Sequence, residues 1–515
     1  MTKRTALAVI SALLLLSLIL WAPLPRAASA PPRDTLVVAA GVQFTTFDPG
    51  DNAHPPAFSV EAHVMEKLVA QSPKGELVPQ LALKWRVSAN SRVWTFTLRQ
   101  GVKFHDGVPF NAEAVKATLD RIRDVNLSYK SGIWSFVEDV RVLSEYEVQV
   151  VTKTPHGAVL AMLTDSTGNM ISPAAIKRYG KGLSTTVVGT GPYRFQTPWA
   201  PGEDIVLIRN EAYWGPKPNV KRIIIKEIRE ALTRQALLER GEVDVVIDLP
   251  PEAVLRFQQD PNFVVRKDSG TRVAFLPLNL SKKPTDDIRV RRAIKHAIDV
   301  QAIIKGVFRD LVLPADDLVG PGVIGYTPAP NYHEYNPAKA RALLAEAGYP
   351  NGFDMDLVTP EGRYIKDKES MVAIQAQLRN VGIRVNVIPM EWTTFLGHVR
   401  KDAQWGMYYW SWPGYTGDAA YNAEALIWSS NWPPMGFNPF YKNPEVDRLI
   451  TEARSTTDQK ARQKILEKAL QIARDDHAYI YLWRFFQITV LSKRVGGTLE
   501  VWPDETILFR GVVLR

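Results

Sequence analysis

The stretch Lys221-Arg-Ile-Ile-Ile-Lys-Glu-Ile228, then Ala231-Leu-Thr-Arg-Gln-Ala-Leu-Leu-Glu-Arg240, then Gly241, then Val243-Asp-Val-Val-Ile-Asp-Leu249 decides the fold class. The first and last runs are short, apolar and β-branched, which predicts strands. The middle run is built of good helix formers. Gly241 stands where a left-handed C′ residue would stop that helix. Strand, short helix, strand within thirty residues is the grammar of an α/β layer.

The same grammar extends in both directions. Upstream, Thr35-Leu-Val-Val-Ala-Ala40 reads as a buried strand ending at Gly41, and Val93-Trp-Thr-Phe-Thr-Leu98 as a half-buried strand. Asn111 caps a predicted helix to Arg123, with Val115, Leu119 and Ile122 on one face. Downstream, Asp286 or Asp287 opens a helix ending near Gly306. Asn336-Pro337 opens one that Gly348 closes, and Ser370–Val381 is stopped by Gly382. Ile383–Met390 reads as a strand, and Asp458–Arg474 as a long amphipathic helix. Strands alternating with helices in both halves predict two α/β lobes.

The chain has 515 residues, 46% of them hydrophobic and 23% charged. These values exclude a disordered tail, a coiled coil and a multi-span membrane protein. With no cysteine, it has no disulfides, thiolate metal sites, thiol nucleophile or lipid-bearing cysteine. Lys3 and Arg4 precede an uncharged, mostly apolar run from Thr5 to Pro25, and Ala27-Ala28-Ser29-Ala30 follows. That pattern predicts a cleaved secretory signal peptide; the alternative is a retained anchor helix. Loss of residues 1–30 removes Lys3, Arg4 and Arg26 and no acid, lowering the formal charge from +9 to +6. No basic stripe dominates any segment, so nucleic acid is not an expected partner.

Catalytic signatures are missing. The sequence contains no HExxH, GxSxG, GxxxxGK[ST] or GxGxxG. Gly189-Thr190-Gly191-Pro192 starts like a dinucleotide fingerprint and fails at the third glycine. The eight histidines are scattered, and the acid pairs Asp286-Asp287, Asp316-Asp317 and Asp475-Asp476 are adjacent in sequence; two of the three read as helix or turn ends, where caps and solvation explain them. Arg289, Arg291, Arg292, Lys295 and His296 read as a solvated helix face rather than a phosphate site. No enzyme activity, cofactor or metal site is expected. A secreted hydrolase with two distant carboxylates is the remote alternative.

Tryptophan is concentrated instead. Five of fourteen lie between Trp405 and Trp432, with Tyr408, Tyr409, Tyr415 and Tyr421 among them and Gly406, Pro413, Gly414 and Gly417 breaking the run. Rings with a polar edge on a Gly/Pro-rich loop suit a concave ligand wall, so Trp410, Trp412 and Tyr415 are candidate wall residues, whereas Trp405 and Trp428 read as core. Asp418, at the tip, could hold a ligand ammonium or sugar hydroxyls. Arg363 lies in a polar loop before a helix and could fork onto a carboxylate. Phe44 and Thr45 follow the first strand at its C-terminal end, where open α/β sheets bind ligands. Trp134 is a further candidate contact.

Several stretches together carry a family likeness. They are Leu36–Phe47 with Asp48-Pro49, Glu66-Lys67-Leu68, Leu77-Val-Pro-Gln-Leu81, Trp94-Thr-Phe-Thr-Leu-Arg-Gln-Gly-Val-Lys-Phe-His-Asp-Gly107 with Pro109-Phe110-Asn111-Ala112, Gly189-Thr-Gly-Pro-Tyr193, Arg209-Asn-Glu-Ala-Tyr-Trp214, Asp287-Ile-Arg-Val-Arg-Arg-Ala293 and Asn336-Pro-Ala-Lys-Ala340. In this order the chain resembles the peptide/nickel class of extracytoplasmic solute-binding proteins that serve ABC importers.

The resemblance covers nearly all of residues 35–490. It implies an α/β, two-lobed clamp with an extra subdomain inserted in the first lobe. The implied division is signal peptide 1–30, lobe I 31–72, inserted subdomain 73–186, lobe I again 187–268, lobe II 269–487 and a return to lobe I over 488–515. It implies capture of a peptide-like solute, delivery to a membrane permease, and a monomeric periplasmic protein; the missing cysteine adds the expectation of no lipid anchor of the usual bacterial kind. It assigns a peptide amine to Asp418, and a carboxylate to Arg363 or Lys368. Ala419-Ala420 stands where the dipeptide-type pattern has Pro-Asp, so an oligosaccharide or a metal chelate is the alternative ligand.

Overall fold

The computed structural model describes residues 34–515 except 52–54, 74, 129, 402–404, 415, 435 and 503. The expected signal peptide lies outside the described residues. Thr35–Ala40 forms a fully buried strand, and it pairs in parallel on both sides, with Arg222–Glu227 and with Val245–Ile247. The strand–helix–strand unit that decides the fold class is thus real: helix Ala231–Glu239 connects those two neighbours, and Gly241 adopts φ +70° past its end. Val245–Ile247 is shorter than the expected Val243–Leu249 run. Asp244 leaves the ladder because its carboxylate accepts from the Val37 amide and pairs with Arg494. Asp248 leaves it by turning to φ +60°.

These strands belong to one nine-stranded mixed sheet. Its order runs Trp410–Trp412, Phe263–Pro277, Tyr479–Ser492, Val245–Ile247, Thr35–Ala40, Arg222–Glu227, Ile205–Arg209, Tyr193–Phe195, with Val312–Pro314 beside Tyr479–Ser492. The two long antiparallel strands, Phe263–Pro277 and Tyr479–Ser492, pass from one lobe to the other. Their register slips between Ser269 and Val273, so a bulge sits midway along the crossing. The second lobe adds a parallel sheet of Ile383–Met390, Phe353–Pro360 and Met407–Tyr408. A separate antiparallel sheet, Ala82–Val87, Val93–Leu98, Glu147–Thr152 and Val137–Ser144, packs against helix Ala112–Arg123.

Local chemistry starts most helices where the sequence predicts. The side chains of Asn111, Asp287, Asn336 and Asp458 accept first-turn amide hydrogens, and Gly348 and Gly382 follow helices with positive φ. The single helix expected from Asp287 to Gly306 is two, Ile288–Ala297 and Val300–Gly306. Asp299 breaks it by capping the second through the Ala302 amide. Its basic cluster is not a uniform solvated face: Arg291 is buried and donates to the carbonyls of Thr285, Asp286 and Asp476.

One apolar core gathers Leu36, Val38 and Ile223 with Leu491, Leu499, Ile507 and Phe509 from the C-terminal end. Two more fill the second lobe, and another lies under the four-stranded sheet. Among the described residues no helix is long and apolar enough to cross a membrane.

Candidate functional site

Two chambers of about 310 and 210 Å³ adjoin each other and share Arg272, Arg363 and Tyr364. The larger gathers charged side chains among apolar ones. It takes Gly41 at the C-terminal end of the first strand, Asp248 at the end of Val245–Ile247, Arg234 and Glu505. The smaller is aromatic: Trp392, Trp410, Trp412, Tyr421 and Phe437 form its wall, and Phe58, Lys130 and Asp165 face them. A combined space of this size suits a small organic ligand.

Arg363 sits at the junction. Its loop is held by the buried Asp367, whose Oδ2 accepts from the amides of Arg363 and Tyr364 at 2.8 and 3.0 Å. Burial raises the Asp367 carboxyl above its ordinary pKa, against the pull of those amides. The Arg363 guanidinium lies 5.0 Å from the Trp392 ring centre and 5.5 Å from that of Tyr364. Its buried Nε has no hydrogen-bond partner among the described residues. Lys368, the rival for a ligand carboxylate, is half-exposed, paired to Glu361 at 2.9 Å, and lines neither chamber.

Strand Trp410–Trp412 pairs antiparallel with Val273–Phe275, which fixes both indoles in the aromatic chamber. Trp410 stacks on Trp412 at 6.0 Å and contacts Phe437 at 4.9 Å. The Trp412 Nε1 is buried with no partner among the described residues. Arg272 lies in the bulge of the two long strands and meets Glu505 in a bidentate pair at 2.8 and 2.9 Å beside the larger chamber. Nearby in sequence, Lys366 pairs with Glu252 at 3.1 Å.

The structure therefore brings Arg363, Trp410 and Trp412 together and leaves the other named candidates elsewhere. Asp418 lines neither chamber. Its oxygens are engaged by Arg462 at 2.8 and 3.3 Å and by the Ala420 amide at 2.9 Å, so it caps helix Ala419–Leu426. Trp134 is fully buried under the four-stranded sheet, stacked on Phe136, and its Nε1 donates to Thr167 Oγ1 at 2.8 Å. Phe44 is core, packed against Phe47 at 5.8 Å, and Thr45 is exposed and lines neither chamber. Tyr415 lies outside the described residues. Trp405 is core as expected, whereas Trp428 is half-buried beneath Arg454. Arg272, Glu505, Asp248, Tyr364 and Trp392 carry no local sequence signal; distant segments assemble them. Among the described residues no group of three or more His, Asp or Glu is placed to hold a metal ion.

Residues 76–433 match the profile of the bacterial extracellular solute-binding proteins, family 5 Middle. The chain belongs to this family. The glutathione-binding protein GsiB of Escherichia coli (strain K12) is 31% identical over 490 residues, spanning 93% of this chain and 94% of that one. The periplasmic binding protein DppA of Helicobacter pylori, solved with the peptide STSA, superposes with a TM-score of 0.80 at 27% identity, covering 93% of this chain and 98% of that one. NikA of Brucella suis, solved with Fe(III)-EDTA, gives 0.82 at 27% identity, covering 94% and 100%. The two-lobed α/β clamp expected from the sequence is the fold that this family-5 protein shares with these relatives.

Proposed function

We propose that this protein captures a short peptide-like solute between its lobes and hands it to an ABC importer, without chemical turnover. The observation that carries this reading is Arg363: a guanidinium whose Nε has no hydrogen-bond partner among the described residues, stacked on aromatic rings where a charge-lined and an aromatic chamber meet. It can fork onto a carboxylate while an apolar side chain fills the chamber beside it. The likeness to a glutathione-binding and a peptide-bound relative supports the same ligand class. An anionic metal chelate is the second reading, favoured by the guanidinium groups of Arg272 and Arg363 at the junction and by the chelate-bound relative.

The secreted form is a periplasmic monomer, freed by cleavage near residue 30 and carrying no lipid anchor. Closure is a shift toward the state in which both lobes touch the ligand, and the closed form docks on the permease. Native mass spectrometry of protein purified from periplasm without added ligand tests the reading. Bound masses of di- to tetrapeptides or glutathione support it; a bound chelate mass moves the assignment to the second reading. Calorimetric silence toward peptides and glutathione overturns the peptide assignment. The measured chain mass reports the cleavage site and any lipid.

A further inference from the structure

We propose that Asp248, not Asp418, receives the cationic amine of the bound ligand. This rests on the peptide-like reading and deepens it: the ligand is a zwitterion, its ammonium on Asp248 and its carboxylate on Arg363.

Asp248 follows the last residue of strand Val245–Ile247, at the carboxyl end of a parallel pair, the end at which α/β sheets present ligands. Its φ of +60° is costly for a residue with a side chain, though aspartate tolerates it better than most. Neighbours hold it there. Arg234 donates to the Asp248 carbonyl and also to those of Ile228 and Arg229, so its guanidinium is committed to the backbone. Gly41 permits that nesting: a Cβ there would lie 2.8 Å from the Arg234 Cζ. Asp248 lines the larger chamber.

The carboxylate is half satisfied. It accepts from the Gly41 amide, but Oδ2 is sealed from solvent and has no hydrogen-bond partner among the described residues. A buried acceptor left in this state is costly, and an ammonium supplies the missing hydrogen bond. Burial pushes the Asp248 carboxyl up and Glu505 adds to that, while Arg234 and Arg363 oppose it. Glu505 is itself occupied by Arg272. The same chamber thus presents one underused carboxylate oxygen and one underused guanidinium. Asp418 has neither feature: both its oxygens are engaged and it lies outside the chamber.

Calorimetry on the mature protein tests this with matched probes: Ala-Phe against N-acetyl-Ala-Phe, and glutathione against glutaryl-Cys-Gly, which lacks only the amine. Wild type is expected to bind the amine-bearing probe of a pair at least ten-fold tighter. Asp248→Asn should bind both members equally, and Asp418→Asn should keep the ten-fold preference. Asp248→Gly, whose missing Cβ suits the left-handed backbone, is the second variant should the asparagine form not fold. If both Asp248 variants retain the amine preference, the assignment is overturned while peptide capture stands. If wild type binds no member of either pair, both fall.

Discussion

Arg462 closes on Asp418 with Nε 2.8 Å from Oδ2 and Nη2 3.3 Å from Oδ1, and both side chains are buried. The pair ties helix Gln459–Asp475 to the N-terminus of helix Ala419–Leu426, and Arg462 also donates to the Ala453 carbonyl. Removing one partner strands a buried charge, so Arg462→Met should lower unfolding free energy by about 3–5 kcal/mol. The double variant Arg462→Met, Asp418→Leu should recover part of that. Denaturant unfolding of the three proteins checks both statements; a single variant as stable as wild type would make the pair dispensable.

Arg363 gives the opposite pattern. Its guanidinium rests on the Trp392 and Tyr364 rings and its Nε donates to no described residue, so Arg363→Ala should lower unfolding free energy by about 1 kcal/mol or less. A charge-assisted hydrogen bond is worth roughly 1.5–3 kcal/mol, so affinity for Ala-Phe should fall by about ten-fold or more. The amide Ala-Phe-NH2 should bind the variant and wild type alike. Calorimetry beside thermal melting separates the two effects.

Trp412 should act on side-chain preference. Trp412→Ala opens the aromatic chamber, and losing burial of one apolar side chain costs about 1.5–3 kcal/mol. The preference for Ala-Phe over Ala-Gly should therefore shrink by ten-fold or more, with Ala-Gly affinity little changed. Wild-type tryptophan fluorescence should respond to Ala-Phe, and much of that response should vanish in Trp412→Phe.

His63 predicts acid sensitivity. Its Nδ1 lies 2.5 Å from the Ser59 carbonyl and its Nε2 2.9 Å from the Phe509 amide nitrogen, so Nε2 accepts and the ring is neutral. Burial lowers its pKa to about 4, reinforced by Arg510 and countered by the Ser59 hydrogen bond and Glu500. A proton that the unfolded chain binds near pH 6.5 is then excluded from the folded one. Stability is full above about pH 6.5 and is lost as pH falls toward 4, by roughly 2 kcal/mol at pH 5 from this group. Melting curves from pH 7 to 5 check it: His63→Gln should lose less stability over that interval than wild type.

The sequence carries the elements it can specify locally. Asn111, Asp287, Asn336 and Asp458 cap helices because a side-chain oxygen acts within three residues, and Gly241, Gly348 and Gly382 act through their own φ. The aromatic wall is legible at Trp410 and Trp412 because alternation in a short strand turns both the same way. Asp418 misleads because a carboxylate on a glycine-flanked loop looks unpaired until Arg462, 44 residues on, arrives. Trp134 misleads because a large ring reads alike in a core and on a wall. Asp248 hides inside a run that reads as one strand, and the Arg272–Glu505 contact joins residues 233 apart, beyond any periodicity.

The place of strand Tyr479–Ser492 between Phe263–Pro277 and Val245–Ile247 sets an order for synthesis. The first lobe begins at Thr35, yet its core needs Leu491, Leu499, Ile507, Phe509 and Val512. A ribosome finishes nearly the whole polypeptide before that core can close. The N-terminal half, ordinarily first to fold on emerging, stays incomplete until the last segment arrives. Only the core under the four-stranded sheet is complete without the C-terminal segment, and a stop codon shortly after Arg474 would leave the other large cores unfinished.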